Sequence, residues 1–230
     1  MARIEVLGAG ITGLWQALML AGRGHNVSLL DPAGVPSVRA ASRLAGAMLA
    51  PYCESEPGHE LAGRLGIEAL RLWKARYPEL SANGSLVVAA PRDQADLERF
   101  ALVTKGYRRP SPAEIHSLEP SLEGRFRETL YYENEAHVEP LACMEFLASE
   151  ARKLGALFGD AGESSGNADW IVDCRGISAR DGLKTLRGVR GERLIIHCPE
   201  VQLNRPIRLL HPRVPFYIVP WSEGRFMIGA

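Results

Sequence analysis

Two hydrophobic periods divide this 230-residue chain into its expected elements. Residues 2–7 form a short apolar run. Gly8-Ala9-Gly10-Ile11-Thr12-Gly13 follows, and residues 12–23 repeat apolar positions at helical spacing until Gly24. Residues 25–30 form a second apolar run that stops at Asp31, so the opening predicts strand, glycine turn, helix and strand. Residues 59–77 predict a helix started by His59, with Leu61, Leu65, Ala69, Leu72 and Trp73 on its apolar face. Asn83-Gly84 predicts a turn, 85–90 a strand, and Asp93 the cap of a helix reaching Lys105 and ended by Gly106. Ser111, Pro112 and Glu114 have the spacing of a capping box opening a short helix to Leu118, and 129–133 predicts a strand. Pro140 opens a helix with the stripe Leu141, Met144, Leu147, Ala148, Ala151 and Leu154, stopped by Gly155. A brief strand at 156–158 precedes a continuous apolar strand at 169–176, expected to be buried on both faces. The remainder is β-rich, at 190–197, 201–210, 216–220 and 225–228.

Strand and helix alternate through residues 1–77 and again through 134–185, whereas 78–133 and 186–230 do not alternate. The expected fold is therefore α/β. A doubly wound parallel-sheet domain comes from 1–77 with 134–185. A second, α+β domain on a largely antiparallel sheet comes from 78–133 with 186–230.

The glycine turn gives the first unit its chemistry. Gly8 allows a tight turn, Gly10 presents no Cβ to an approaching pyrophosphate, and Gly13 lets the helix pack close to the strands. The first helical N–H groups lack backbone partners and attract an anion. Asp31, 18 positions after Gly13, stands where a carboxylate accepts hydrogen bonds from an adenosine ribose. The pattern predicts an adenine dinucleotide in a Rossmann-type domain, and an acid at position 31 argues against a 2′-phosphate. Cys174 and Gly176, ending the strand at 169–176, are expected near that dinucleotide. Cys174 reads more readily as a small core residue than as a nucleophile.

Charge and cysteine content narrow the classes. Lys+Arg and Asp+Glu are 27 each, so no basic field calls for nucleic acid or an acidic membrane surface. Cys53, Cys143, Cys174 and Cys198 are scattered without metal-ligand spacing, which argues against zinc and a disulfide scaffold. The start is not a signal peptide, and no apolar run approaches a membrane span. A cytoplasmic protein is the expectation.

Residues 40–51, Ala-Ala-Ser-Arg-Leu-Ala-Gly-Ala-Met-Leu-Ala-Pro, are dense in small side chains. They suit either a backbone pressed against something flat or a buried helix turn on the sheet. Ser42 and Arg43 are able to cap or pair with phosphate; an arginine is otherwise a solvated charge. Glu54 and Glu56 follow in a polar loop, and on the residues alone Glu54 is a solvated acid and Tyr217 a tyrosine packed on a sheet.

Taken together, the fingerprint, residues 42–51 and Asp169-Trp170-Ile171-Val172-Asp173-Cys174-Arg175-Gly176 resemble the FAD-dependent, D-amino acid oxidase-like family. Leu186-Arg187-Gly188-Val189-Arg190-Gly191-Glu192 is more specific. So are His211-Pro212-Arg213-Val214-Pro215-Phe216-Tyr217-Ile218-Val219-Pro220 and Gly224-Arg225-Phe226-Met227-Ile228-Gly229-Ala230. These resemble the glycine oxidase branch, which serves thiazole synthesis in thiamine biosynthesis. The resemblance implies non-covalent FAD, with hydride passing from substrate Cα to flavin N5 and oxygen yielding hydrogen peroxide. It implies that Gly8, Gly10, Ile11, Thr12 and Gly13 face the pyrophosphate and Asp31 the ribose. Ala41, Ser42, Gly46, Ala47 and Met48, with Arg43 beside them, lie along the flavin half. Glu54 takes the place of an active-site acid, and Tyr217 that of a phenol holding the substrate carboxylate.

No protein base is demanded, because a neutral amine loses hydride directly to an oriented flavin. No Ser-His-Asp or Cys-His arrangement suggests a hydrolase. The implied substrate is a small amino acid or amine, the implied assembly a homo-oligomer. Family chains continue beyond the motif ending at Ala230, so the resemblance implies C-terminal truncation, with an arginine for the substrate carboxylate in the later segment. The stretch 156–169 is also short for the strand that contacts adenine. Two alternatives follow: a truncated, non-catalytic FAD-binding protein, and a dehydrogenase of the same fold that passes electrons to a carrier. A plain NAD dehydrogenase leaves residues 42–51 unexplained.

Overall fold

A computed structural model describes residues 1–55, 60–160, 164, 166–213 and 215–229. In chain order its elements are β1 (Arg3–Leu7), α1 (Ile11–Ala21), β2 (Asn26–Leu30), β3 (Met48–Leu49), α2 (Glu60–Arg76), β4 (Ser85–Ala89), α3 (Gln94–Val103), α4 (Pro112–Leu118), β5 (Thr129–Tyr132), β6 (Ala136–His137), α5 (Pro140–Lys153), β7 (Leu157–Gly159), β8 (Trp170–Asp173), β9 (Arg193–His197), β10 (Ile207–Leu210), β11 (Phe216–Pro220) and β12 (Arg225–Gly229). The expected His59 helix start, and Glu56, lie outside the described residues.

Two compact units form, Met1–Ala45 with Pro140–Arg190 and Gly46–Glu139 with Gly191–Ala230. These borders differ from the expected ones. Residues 46–77 and 134–139 group with the second unit and 186–190 with the first. One cause is pairing: Met48 and Leu49 lie antiparallel to His137 and Ala136.

The first unit is a parallel sheet in the order β7-β2-β1-β8. Parallel neighbours need crossover connections, and α1 provides one between β1 and β2. It buries Gly13, Leu14, Ala17, Leu18 and Ala21, while α5 buries Cys143, Met144, Leu147, Ala148 and Ala151. Leu141 and Leu154, expected in the α5 stripe, are exposed. The expectation of a doubly buried β8 fails. Among the described residues β8 is an edge strand, paired only with β1, and Trp170 and Ile171 are 68% and 63% exposed.

The second unit is a six-stranded sheet in the order β5-β4-β10-β11-β12-β9. Only β4 and β10 are parallel; the other neighbours are antiparallel. Val87, Ala89, Leu130, Tyr132 and Leu210 cluster with Ala50 and Cys53 and with Leu97, Phe100 and Ala101 of α3. A separate cluster joins Leu86, Val88, Tyr131 and Ile207 to Ile115 of α4 and Leu122. The strand expected at 201–210 is shorter, beginning at Ile207 as β10. Buried Arg205 donates from Nε to Glu119 Oε1 at 2.9 Å and from Nη1 to the Asn83 carbonyl at 2.6 Å, which ties the turn before β4 to the end of α4.

Three local expectations meet the structure differently. The α4 capping box forms, with Glu114 N–H donating to Ser111 Oγ and Ser111 N–H to Glu114 Oε2. Asp93 occupies the cap position of α3, yet its side chain accepts no capping hydrogen bond. On α2 the buried residues are Gly63, Leu70 and Trp73, whereas Leu61, Leu65 and Leu72 are exposed. Gly63 and Gly66 turn toward Ser55 and Pro51 at a separation that a Cβ would violate. Backbone approach therefore selects the buried face over side-chain hydrophobicity.

Candidate functional site

In the first unit the chain leaves β1 at Leu7 and turns at Gly8, whose φ of 95° favours glycine. A Cβ there would stand 2.7 Å from the Cys174 carbonyl oxygen, because Cys174 N–H donates to Leu7 O at 2.7 Å and draws the end of β8 against the turn. A Cβ on Gly13 would overlap the Gly8 carbonyl. These two glycines are thus occupied by the fold. Gly10 is different: its nearest neighbours to a Cβ are Ala40 Cβ and Ser42 Oγ, both 3.5 Å away. The backbone there has room on its outer side.

The start of α1 carries no acidic residue in its first turn and no side-chain cap from Gly10. Ile11 N–H donates instead to Ser42 Oγ at 3.1 Å. The positive end of the helix is not neutralised by a carboxylate on its own first turn, which suits an anion. Asp31, at the end of β2, binds the turn directly. Its Oδ2 accepts Ala9 N–H at 2.8 Å, and Oδ1 accepts Ala33 N–H at 2.8 Å and Ser37 O–H at 3.0 Å. Oδ2, which accepts from one donor, keeps a second lone pair, so a ribose hydroxyl remains compatible with this anchoring.

Of the other residues singled out in this unit, Thr12 and Ala41 are exposed and Arg43 is half-buried. Ala41–Leu44 is a single 3₁₀ turn, close to the second of the two readings of this stretch, but it buries none of its residues. Cys174 is half-buried, and burial raises its thiol pKa, so it is no activated nucleophile. Gly176, with φ 56°, begins the turn after β8. There Arg175 bridges Asp173 and Asp181, donating to each at 2.7–2.9 Å.

In the second unit, Gly46 is pressed between Met227 and the Tyr217 ring, where any Cβ would clash. Ala47 adopts φ 58°, which costs a non-glycine residue about 1 kcal/mol. Its carbonyl accepts Val138 N–H at 3.1 Å, and Met48 follows in β3. Glu54 is not a free solvated acid, since its Oε1 accepts from Arg208 Nη1 at 2.9 Å. Tyr217 lies on β11 directly opposite Arg208 on β10.

Two functional candidates escaped sequence reasoning. Arg208 sits mid-strand in Ile207-Arg208-Leu209-Leu210, and its charge at a strand position was the available signal. Glu135 left no local signal. It is fully buried, and its Oε1 accepts Tyr52 N–H at 3.0 Å and Cys53 N–H at 2.8 Å, while Oε2 accepts from Ser85 Oγ. Glu135 thereby fixes the loop that carries Glu54. Burial pushes the Glu135 carboxyl pKa up, and it pushes His137, two residues on, down to about 4.

The model of the family described as FAD dependent oxidoreductase, DAO, matches residues 3–230. The chain belongs to this FAD-dependent oxidoreductase family. Its cofactor is accordingly FAD, and the open backbone at Gly10 and the unneutralised start of α1 fit the pyrophosphate of such a group. A Rhizobium etli protein provisionally named thiamine biosynthesis oxidoreductase ThiO is 44% identical over 231 residues, covering 99% of this chain and 70% of that one. A glycine oxidase from Geobacillus kaustophilus shares the fold at TM-score 0.70 and 21% identity, covering 100% of this chain and 72% of its own. An L-alpha-glycerophosphate oxidase from Mycoplasma pneumoniae, solved with FAD bound, shares it at TM-score 0.72 and 16% identity, covering 100% and 71%. Among the described residues no helix is long and apolar enough to cross a membrane, and no three metal-ligating side chains group together.

Proposed function

We propose that this FAD-dependent oxidoreductase is an oxidase of glycine or a comparably small amine or amino acid, acting in the thiazole branch of thiamine biosynthesis. The observation that carries this reading is the 44% identity to ThiO across 99% of the chain. Gly10, Ile11, Thr12 and Gly13 face the pyrophosphate at the start of α1, Gly8 shapes their turn, and Asp31 takes the adenosine ribose. Ser42 holds the helix start, with Ala41, Arg43, Cys174 and Gly176 around the same cofactor. Gly46, Ala47 and Met48 run along its flavin. Bound FAD would supply the acceptor for a hydride from the substrate Cα and would pass the electron pair to oxygen as hydrogen peroxide, while water would hydrolyse the imine left on the substrate.

The protein's own residues bind and orient. Tyr217 donates its O–H to the substrate carboxylate. Glu54 accepts N–H from the substrate amine. No residue is needed to remove the Cα proton, because a neutral amine gives up hydride directly. Reconstitution with FAD followed by addition of glycine or sarcosine tests the reading: a flavin spectrum that bleaches and then recovers in air with release of peroxide is expected. Dye reduction without peroxide would turn the reading toward a dehydrogenase. Nicotinamide binding with no uptake of FAD would overturn it.

A further inference from the structure

We propose that Arg208 and Glu54 form a preassembled receptor for the zwitterionic end of an amino acid, with Arg208 the specificity-determining contact to its carboxylate. The inference rests on the oxidase reading above and deepens it.

Arg208 and Tyr217 are directly opposed across the antiparallel β10–β11 pair, and such pairs share a face with Cβ atoms about 5 Å apart. The Arg208 side chain is only 21% exposed, and its guanidinium lies 5.3 Å from the centre of the Phe100 ring. A cation that far from water needs an anion, and among the described residues Glu54 is the one that provides it, through a single N–H at 2.9 Å. Among the described residues no other acceptor engages the remaining guanidinium donors, and the Tyr217 hydroxyl has no partner. The face therefore holds a planar fork of N–H groups and a phenol, which together match a carboxylate.

Glu54 is the exchangeable half. Its side chain is 65% exposed, and an ion pair with such an exposed partner is worth about 1 kcal/mol or less. A substrate carboxylate that grips the fork with two hydrogen bonds gains more than the single bond it displaces. Glu54 remains within reach because Glu135 pins the backbone N–H groups of Tyr52 and Cys53 just before it. Released from Arg208, its carboxylate accepts an N–H from the substrate ammonium, which sheds one proton to water before the resulting neutral amine gives up hydride. An amino acid brings one anion and one cation, and the receptor holds one of each in complementary order. Binding therefore buries no unpaired charge. An amine without a carboxylate leaves the fork empty and is discriminated against.

The test uses the FAD-loaded chain and reads perturbation of the flavin absorption by acetate, methylamine and glycine, alongside the melting temperature. Arg208→Gln is expected to weaken acetate and glycine by about tenfold or more and methylamine by less than about twofold. Glu54→Gln is expected to weaken methylamine and to leave acetate equal or tighter, since it removes the competing anion. Arg208→Lys keeps the charge and the stem over Phe100 but not the fork, so it reads the same loss, in smaller measure, even where Arg208→Gln does not fold. Unchanged acetate binding in both arginine variants overturns the receptor. So does a parallel fall of all three probes with melting temperature, as a merely structural pair would give. Wild-type protein that binds acetate through Arg208 yet oxidises no amine would instead overturn the oxidase reading.

Discussion

Gly10 and Gly13 stand three residues apart in one motif and answer to different physics. Gly13 is demanded by the fold: a Cβ would occupy the space of the Gly8 carbonyl. Gly10 is in extended backbone, φ −76° and ψ −177°, and a Cβ would make only ordinary contacts at 3.5 Å. Gly13→Ala is therefore expected to destabilise the flavin-free protein by about 2 kcal/mol or more. Gly10→Ala is expected to leave its melting temperature unchanged or slightly raised, because alanine lowers the entropy of the unfolded chain. The same Gly10→Ala protein should lose FAD on desalting, measured as the flavin-to-protein ratio, since the methyl fills the room left for the pyrophosphate. Full FAD retention would show that the cofactor does not press on Gly10. The motif was legible in sequence because every contact that defines it lies within a few residues or at a fixed offset. Arg208 and Glu135 were not legible as a site, because the partners that give them meaning lie 154 and 82 residues away.

At the scale of elements, legibility followed the origin of the contact. The strand and helix placements of the first unit could be read because local period and caps agree there. The α2 face could not, because Gly63 and Gly66 are invisible to a hydrophobic count yet approach Pro51 and Ser55 most closely. The same loop, together with β6, carries a hidden balance of protons. Burial raises the Glu135 carboxyl above its ordinary 4.5, so its contribution to stability is full below that value and is lost as pH rises through the raised one. His137 is opposite. Its pKa falls from 6.5 to about 4, so the unfolded chain takes up a proton first and stability is lost as pH falls through that interval, by about 3 kcal/mol in full. The two slopes oppose each other above pH 4.5. Glu135→Gln keeps an acceptor for Tyr52 and Cys53 and a donor for Ser85. It should leave stability rising from pH 4.5 to 6.5. His137→Gln keeps a donor toward the Pro220 carbonyl and should leave stability falling over the start of that range. Urea midpoints measured across the range check both, and equal slopes in the two variants would remove the balance.

For the whole molecule, charge and strand edges combine into a solubility limit. The formal net charge is zero and the isoelectric point about 7.0, so long-range repulsion is least near neutral pH. Each unit also presents an apolar edge strand. In the first, β8 exposes Trp170 and Ile171; in the second, β9 exposes Leu194, Ile195 and Ile196. Unpaired N–H and C=O groups flanked by such side chains invite pairing with another chain. Light scattering of the chain is expected to peak near pH 7 and to fall toward pH 9 as negative charge accumulates. The β8 edge offers a sharper test, because Ile171 is aligned with Glu5 of β1. Ile171→Lys places an ammonium beside that carboxylate, so the charge has a partner within the sheet, while the open edge gains the lysine that natural sheets use to block association. Scattering at pH 7 should drop several-fold with the melting temperature unchanged or raised. If scattering stays high in Ile171→Lys but drops in Ile195→Lys, the association runs through β9 and the second unit. If neither substitution lowers it, the chains associate through faces and not through edges, and the exposed leucines of α2 become the surface to alter next.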